Sequence, residues 1–184
     1  MRPIGLLMTE HRLIERMIGF LGAEAARARS TGRLDTAFVD TAVDFLRTYA
    51  DKCHHGKEEA ILFRDAAAKP LAPEHRRVLD ELLGGHTFAR AHVAGLVAAR
   101  NRVAAGDAPA ADDAAAHAEA LVAFYPVHIH LEDDVFFPAS MEYFSDEELD
   151  AMTAAFREYD QRMIHLKYAA VVEACEHAPA APPQ

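Results

Sequence analysis

"CHHGKEEAILF" (residues 53–63) sets two histidines ahead of two glutamates and closes on large apolar side chains. "VHIHLEDDVFF" (residues 127–137) does nearly the same. Aligned on Phe63 and Phe137, an offset of 137 − 63 = 74, His54 falls on His128 and Glu58 on Glu132. His55 falls on Ile129 and has no counterpart. An offset of 86 − 11 = 75 then carries His11 onto His86, each ahead of its own His-Glu pair. The chain therefore reads as two copies of one unit: a helix with a single His, then a helix with His-x-x-x-Glu.

Around these stretches strand signals are almost absent. Apolar residues recur at three- and four-residue spacing in an Ala- and Leu-rich chain, the helical period. "STGRLD" (30–35), "KPLAP" (69–73) and "GDAPAADD" (106–113) interrupt the pattern. Asp35 and Asp112 are candidate N-caps, and Gly106 is a candidate helix stop. After Pro138, Ser145 with Glu148 three positions on is a capping-box signature. Four long helices with short connections give an all-α, up-down-up-down four-helix bundle over 1–140. A fifth, C-terminal helix is expected over 145–176, completing one domain over 1–177, and "APAAPPQ" (178–184) reads as a disordered tail.

Counting along each helix from the turns supplies a check on the repeat. His11 lies 19 residues before Ser30 and His54 lies 19 after Asp35. At 1.5 Å per residue both sit roughly 28 Å from their shared turn. The same count across the other two turns brings Glu58, His86, His128 and Glu132 to that height. The i,i+4 spacing places His and Glu on one helix face, with Cβ atoms about 6 Å apart. Such a pair can ligate one ion, or two ions roughly 3.5–4 Å apart. Four imidazoles and two carboxylates without a thiolate suit first-row metals. Six ligands exceed the four of a single zinc and fit a dinuclear centre between facing helices.

Bulk properties narrow the field. The 184 residues are 51% hydrophobic and 26% charged, as in a globular domain. A net charge of −10 argues against nucleic acid or an anionic membrane surface as a partner. Two cysteines, Cys53 and Cys175, far apart, suggest no disulfide framework and a cytoplasmic location. The apolar run before Glu10 is too short for a signal peptide or a membrane span.

"EHRLIERM", "HHGKEEAILF" and "HIHLEDDVFFP" resemble the hemerythrin-like family, specifically the HHE cation-binding domain, over roughly residues 1–140. The later "EYDQRMIHLKYAAVVE" is similar to the closing helix of some bacterial members. The resemblance implies a non-heme di-iron centre held by His11, His54, Glu58, His86, His128 and Glu132. It implies two iron ions with an oxo or hydroxo bridge, and dioxygen, peroxide or nitric oxide as the small ligand. The alternative is an iron- or oxygen-responsive sensor without turnover. One departure stands out: oxygen-carrying members supply two histidines one turn apart from the third helix, whereas His86 has Leu82 and Arg90 at those places. The last motif also ends in Glu at i+4, where the carriers use Asp at i+5. One iron is then short of a ligand, to be completed by water or another side chain, which favours redox chemistry or sensing over reversible carriage.

Other pairings stay open at this stage. His55 with Glu59 and His130 with Asp134 have the same spacing, but the repeat disfavours both: His55 faces about 100° away from His54 and lacks a counterpart, so it is expected to support the ligands from behind or to face solvent. Glu15, one turn after His11, and His165 on the fifth helix are candidates for completing the coordination. Tyr49 and Tyr125 are near enough in sequence to hydrogen-bond a ligand, and Cys53 is expected to be a packing residue.

Overall fold

The computed structural model describes residues 2–160 and 162–177. Helix α1 is Pro3–Thr31, with proline in its first turn, where its missing N–H leaves no bond unmade. It stops at Gly32, whose φ of 65° lets its N–H return to the carbonyl of Ala28. Helix α2 runs over 36–67 and is not regular. It is α-helical over Thr36–Phe45, π-helical over Leu46–His55 and Glu58–Phe63, and α-helical again over Arg64–Ala67. Helix α3 is Pro73–Ala104. Helix α4 runs over 110–141, with a π-helical segment at Leu131–Phe136. The two smaller helices are α5, Asp146–Tyr159, and α6, Arg162–His177. No strand occurs among the described residues.

The caps follow the sequence signals in part. Asp35 accepts from the N–H groups of Ala37 and Phe38, and Ser145 with Glu148 forms the full capping box. Asp112 does not cap: α4 begins two residues earlier at Ala110, and Asp112 sits in its first turn, where a carboxylate favours the positive end of the helix dipole. The single helix expected over 145–176 is divided at Asp160, whose backbone is extended (ψ 107°). The Asp160 carboxylate is drawn inward to Lys57 and to His165, which accounts for the bend. The expected tail over 178–184 lies outside the described residues.

The four long helices pack in a ring, α1 against α4, α4 against α3, and α3 and α1 against α2. Helices α5 and α6 lie across the α1–α2 face. Apolar side chains form two clusters, one around Met17, Leu21, Phe45, Leu96 and Leu121, the other around Leu7, Leu62, Leu82, Phe136 and Phe156. Between them every long helix carries polar groups. His11 follows Leu7 and precedes Ile14, and His86 follows Leu82 and precedes Ala89. A polar layer is thereby walled above and below by hydrocarbon.

Candidate metal centre

The bundle brings His11, His54, Glu58, His86, His128 and Glu132 together, each at most 5% exposed. They fall into two groups. Ligand-capable atoms of His11, His54, Glu58 and Glu132 all lie within 4.8 Å of one another, and those of His55, His86 and His128 form a second such set. His55 is the residue that helical-wheel reasoning turned away. It is 2% exposed and its ring stacks on that of His86 with centroids 3.9 Å apart. The π-helical course of α2 explains the difference. A wider coil turns less per residue than an α-helix, so consecutive His54 and His55 both face inward, one toward each group. The histidine that α3 lacks is matched here by one from α2.

The two glutamates lie between the groups. Glu58 sets Oε1 3.4 Å from His54 Nε2 and Oε2 3.4 Å from His86 Nε2. Glu132 sets Oε2 3.2 Å from His11 Nε2, while Oε1 is 3.3 Å from His128 Nε2 and 3.7 Å from His86 Nε2. Each carboxylate thus faces one imidazole set with one oxygen and the other set with the other.

An outer layer of carboxylates decides the tautomers. His11 Nδ1 lies 2.7 Å from Asp133, His54 Nδ1 2.8 Å from Glu10, and His86 Nδ1 2.7 Å from Glu59. His55 Nδ1 faces Asp51 at 3.4 Å. An ionised carboxylate only accepts, so the ring proton belongs on Nδ1, and Nε2 presents its lone pair to the interior. These acids are themselves held: Asp133 by Arg12, Glu10 by buried Lys57, and Asp51 and Glu59 by Arg90, at 2.7 Å to each.

The interior consequence is an unmet need for positive charge. Nε2 of His11, His86 and His128 and all four oxygens of Glu58 and Glu132 are buried without a hydrogen-bond partner among the described residues. Each unsatisfied buried polar atom costs of order 1–3 kcal/mol, and more if charged. Lone pairs of nitrogen and oxygen directed at one another across 3.2–3.7 Å repel, and a cation between them reverses the sign. Protons do the same in its absence. Burial disfavours charge on His11, yet hydrogen bonds to Asp133 and Glu132 overcome it and push its pKa up to about 10. Burial is likewise outweighed at His86, by Glu132, Glu58 and Glu59, to about 11. Burial and the neighbouring charge of Glu132 raise Glu58. Burial, with the charge of His86, lowers His55 to about 3 and His128 to about 4. The donor set, N and O only and preoriented from outside, fits a bound metal cation.

The remaining candidates lie elsewhere. Glu15 is partly exposed and pairs with Arg12 at 2.9 Å. His130 and Asp134 form an exposed pair at 2.6 Å. Glu59 serves His86, not His55. His165 joins Cys53 and Asp160 in a separate group behind Glu10, and its Nδ1 lies 3.2 Å from the Tyr49 hydroxyl. Sequence reasoning passed over Glu10, Asp51 and Asp133 as partners. Their adjacency to the motifs was the available signal, since Glu10 precedes His11 and Asp133 follows Glu132.

No helix among the described residues is long and apolar enough to cross a membrane. Compared with known proteins, the chain matches the Hemerythrin HHE cation binding domain over residues 2–140. No curated protein and no solved structure compared with the chain matches it. With three-quarters of its length matched and a buried His/Glu cluster that fits a metal, the chain belongs to the hemerythrin HHE cation-binding family.

Proposed function

We propose that this protein is a cytoplasmic non-heme di-iron protein that binds or processes dioxygen, peroxide or nitric oxide. One observation carries the reading: Glu58 and Glu132 each turn one oxygen toward either imidazole group, the placement of two bridging carboxylates. His11 and His54 would terminate one ion, and His55, His86 and His128 the other. Bound iron would supply one-electron redox change and a coordination position for a small ligand.

The chain's own residues supply the rest. Asp133, Glu10, Asp51 and Glu59 hold the proton on Nδ1 of four histidines and fix their ring planes. Phe137 stacks on His11, Phe63 on His86 and Phe124 on His128, which keeps bulk water from three of the imidazoles. The group with fewer histidines, His11 and His54, would leave its ion one imidazole short and so open to an added ligand.

Sensing without turnover is the competing reading, and one contact favours it. Lys57 ties Glu10, the partner of His54, to Asp160 at the α5–α6 bend, so a change at the centre has a route to the C-terminal helices. Metal analysis and a visible spectrum of aerobically purified protein test the common core. Two irons per chain with an oxo-to-iron absorption band are expected, and colourless, metal-free, fully folded protein would refute it. Mixing the reduced protein with each small ligand then separates the roles, since continued consumption marks an enzyme and a single stoichiometric change marks a sensor.

A further inference from the structure

Away from the centre, two histidines face each other across the groove between α3 and α4. His92 and His117 are both half-buried, and their Nδ1 atoms lie 3.2 Å apart. Their ring centroids are 5.2 Å apart at an interplanar angle of 65°. Other histidines outside the centre face oxygen: His75 the Tyr143 hydroxyl, His130 Asp134, and His165 Asp160. Among the described residues, the nitrogens of His92 and His117 have only each other. Two nitrogen lone pairs turned toward one another repel unless a proton or a cation lies between them. Burial and the charge of His117 hold the pKa of His92 below its ordinary value, which keeps a lone pair on that ring for a ligand.

Both rings are set in place from outside the pair. Phe88 lies against His92 with ring centroids 4.3 Å apart. His117 lies across Gly95, where a Cβ would come within 2.2 Å of Cε1, 2.3 Å of Nε2 and 2.6 Å of Nδ1. Glycine inside a helix costs about 1 kcal/mol relative to alanine, and here it opens the space that the imidazole fills.

The span between the nitrogens selects the cation. Zinc–nitrogen bonds of about 2.0–2.1 Å at a tetrahedral angle set two donors about 3.3–3.4 Å apart, and square-planar geometry sets them about 2.8–3.0 Å apart. The observed 3.2 Å falls closer to the tetrahedral span. Asp113, one turn before His117, is held by Arg102 at 2.6 Å, so the protein supplies two donors. A surface cavity of about 220 Å³ borders His117, lined also by Gly95, Arg102 and Asp113, and gives water room for the other two positions.

We propose that His92 and His117 form an additional, solvent-open site for one tetrahedral divalent cation of the zinc class, bound through both Nδ1 atoms and completed by water. The site shares no residue with the buried centre and does not depend on the di-iron reading.

The probe is zinc, titrated against a chromophoric chelator into the protein as purified, with its own metals in place. Wild type should take up one zinc ion per chain more than His117→Asn and more than His92→Asn. In protein labelled with nitrogen-15 histidine, the Nδ1 resonances of His92 and His117 should shift together and saturate at the same zinc concentration. Gly95→Ala, whose methyl group displaces the His117 ring, should weaken this uptake about tenfold or more. Equal uptake in wild type and both asparagine variants would overturn the site and leave a plain N–H···N hydrogen bond. Loss in only one of the two variants, or a zinc shift at Nε2 in place of Nδ1, would overturn the shared ion. If His117→Asn does not fold, His92→Asn and the nitrogen resonances of the wild type decide the question.

Discussion

Two adjacent glycines in α3 allow the geometry of the centre to be tested by a single methyl group. A Cβ on Gly84 meets nothing within 4 Å, whereas a Cβ on Gly85 would lie 2.9 Å from His128 Nδ1 and 3.1 Å from both His128 Cε1 and Phe124 Cζ. Both sites are helical, so Gly→Ala gains roughly 0.8–1 kcal/mol of helix propensity at each. For Gly84→Ala that gain is uncontested, and at about 2–4 °C per kcal/mol the melting temperature should rise by about 2–4 °C. At Gly85 overpacking subtracts roughly 1–3 kcal/mol, because the His128 ring is already confined by Phe124 and His86. The net lies between no change and a loss of about 2 kcal/mol, or up to about 8 °C. The displaced ring also carries Nε2 away from Glu132, so metal affinity should fall at least tenfold in Gly85→Ala and stay unchanged in Gly84→Ala. Circular dichroism melts of the metal-free variants and competition with a chromophoric chelator read the two effects. If Gly85→Ala matches Gly84→Ala in both assays, the His128 ring does not pack against Gly85.

Three further outcomes follow from the same geometry. His55→Ala should lower the bound metal content, whereas His130→Ala, at an exposed pair, should leave it unchanged; equal retention in both would remove His55 from the centre. Glu59→Gln keeps the shape but weakens the acceptor for His86 Nδ1, and a loss of about 10–100-fold in metal affinity is expected by chelator competition. The hydroxyl of Tyr168, on α6, donates to Asp44, on α2, and that bond holds the Asp44 pKa below its ordinary 3.8. A depressed folded-state pKa contributes stability that is present above the unfolded value and is lost as pH falls through the folded one. Asp44→Asn should therefore lower the melting temperature slightly at neutral pH, with the gap beginning to shrink only near pH 3.8 and closing below the depressed folded-state value, and a gap that does not shrink on further acidification would refute the assignment.

The internal repeat and the residue counts between turns were enough to set the bundle, its antiparallel order and the common height of His11, His54, Glu58, His86, His128 and Glu132. Those features depend on local rules: apolar period, turn residues and a fixed rise per residue. Asp35 and Ser145 were legible for the same reason, because a cap acts within three residues. His55 was not legible. Its inward turn follows from π-helical geometry over Leu46–His55, and a residue-by-residue reading assumes the α-helical angle. Nor does spacing reveal that Glu59 serves His86 across 27 positions, or that Asp133 serves His11 across 122. Which helix faces which carboxylate is settled only when the rods pack.

Sequence by itself determined the fold class and the chemical kind of the centre, because the type and period of side chains are one-dimensional facts. Tertiary structure decided the division into two groups and which carboxylate faces each imidazole. Those depend on distances between separate helices, where a shift of an ångström decides whether a lone pair meets a donor, a cation or nothing.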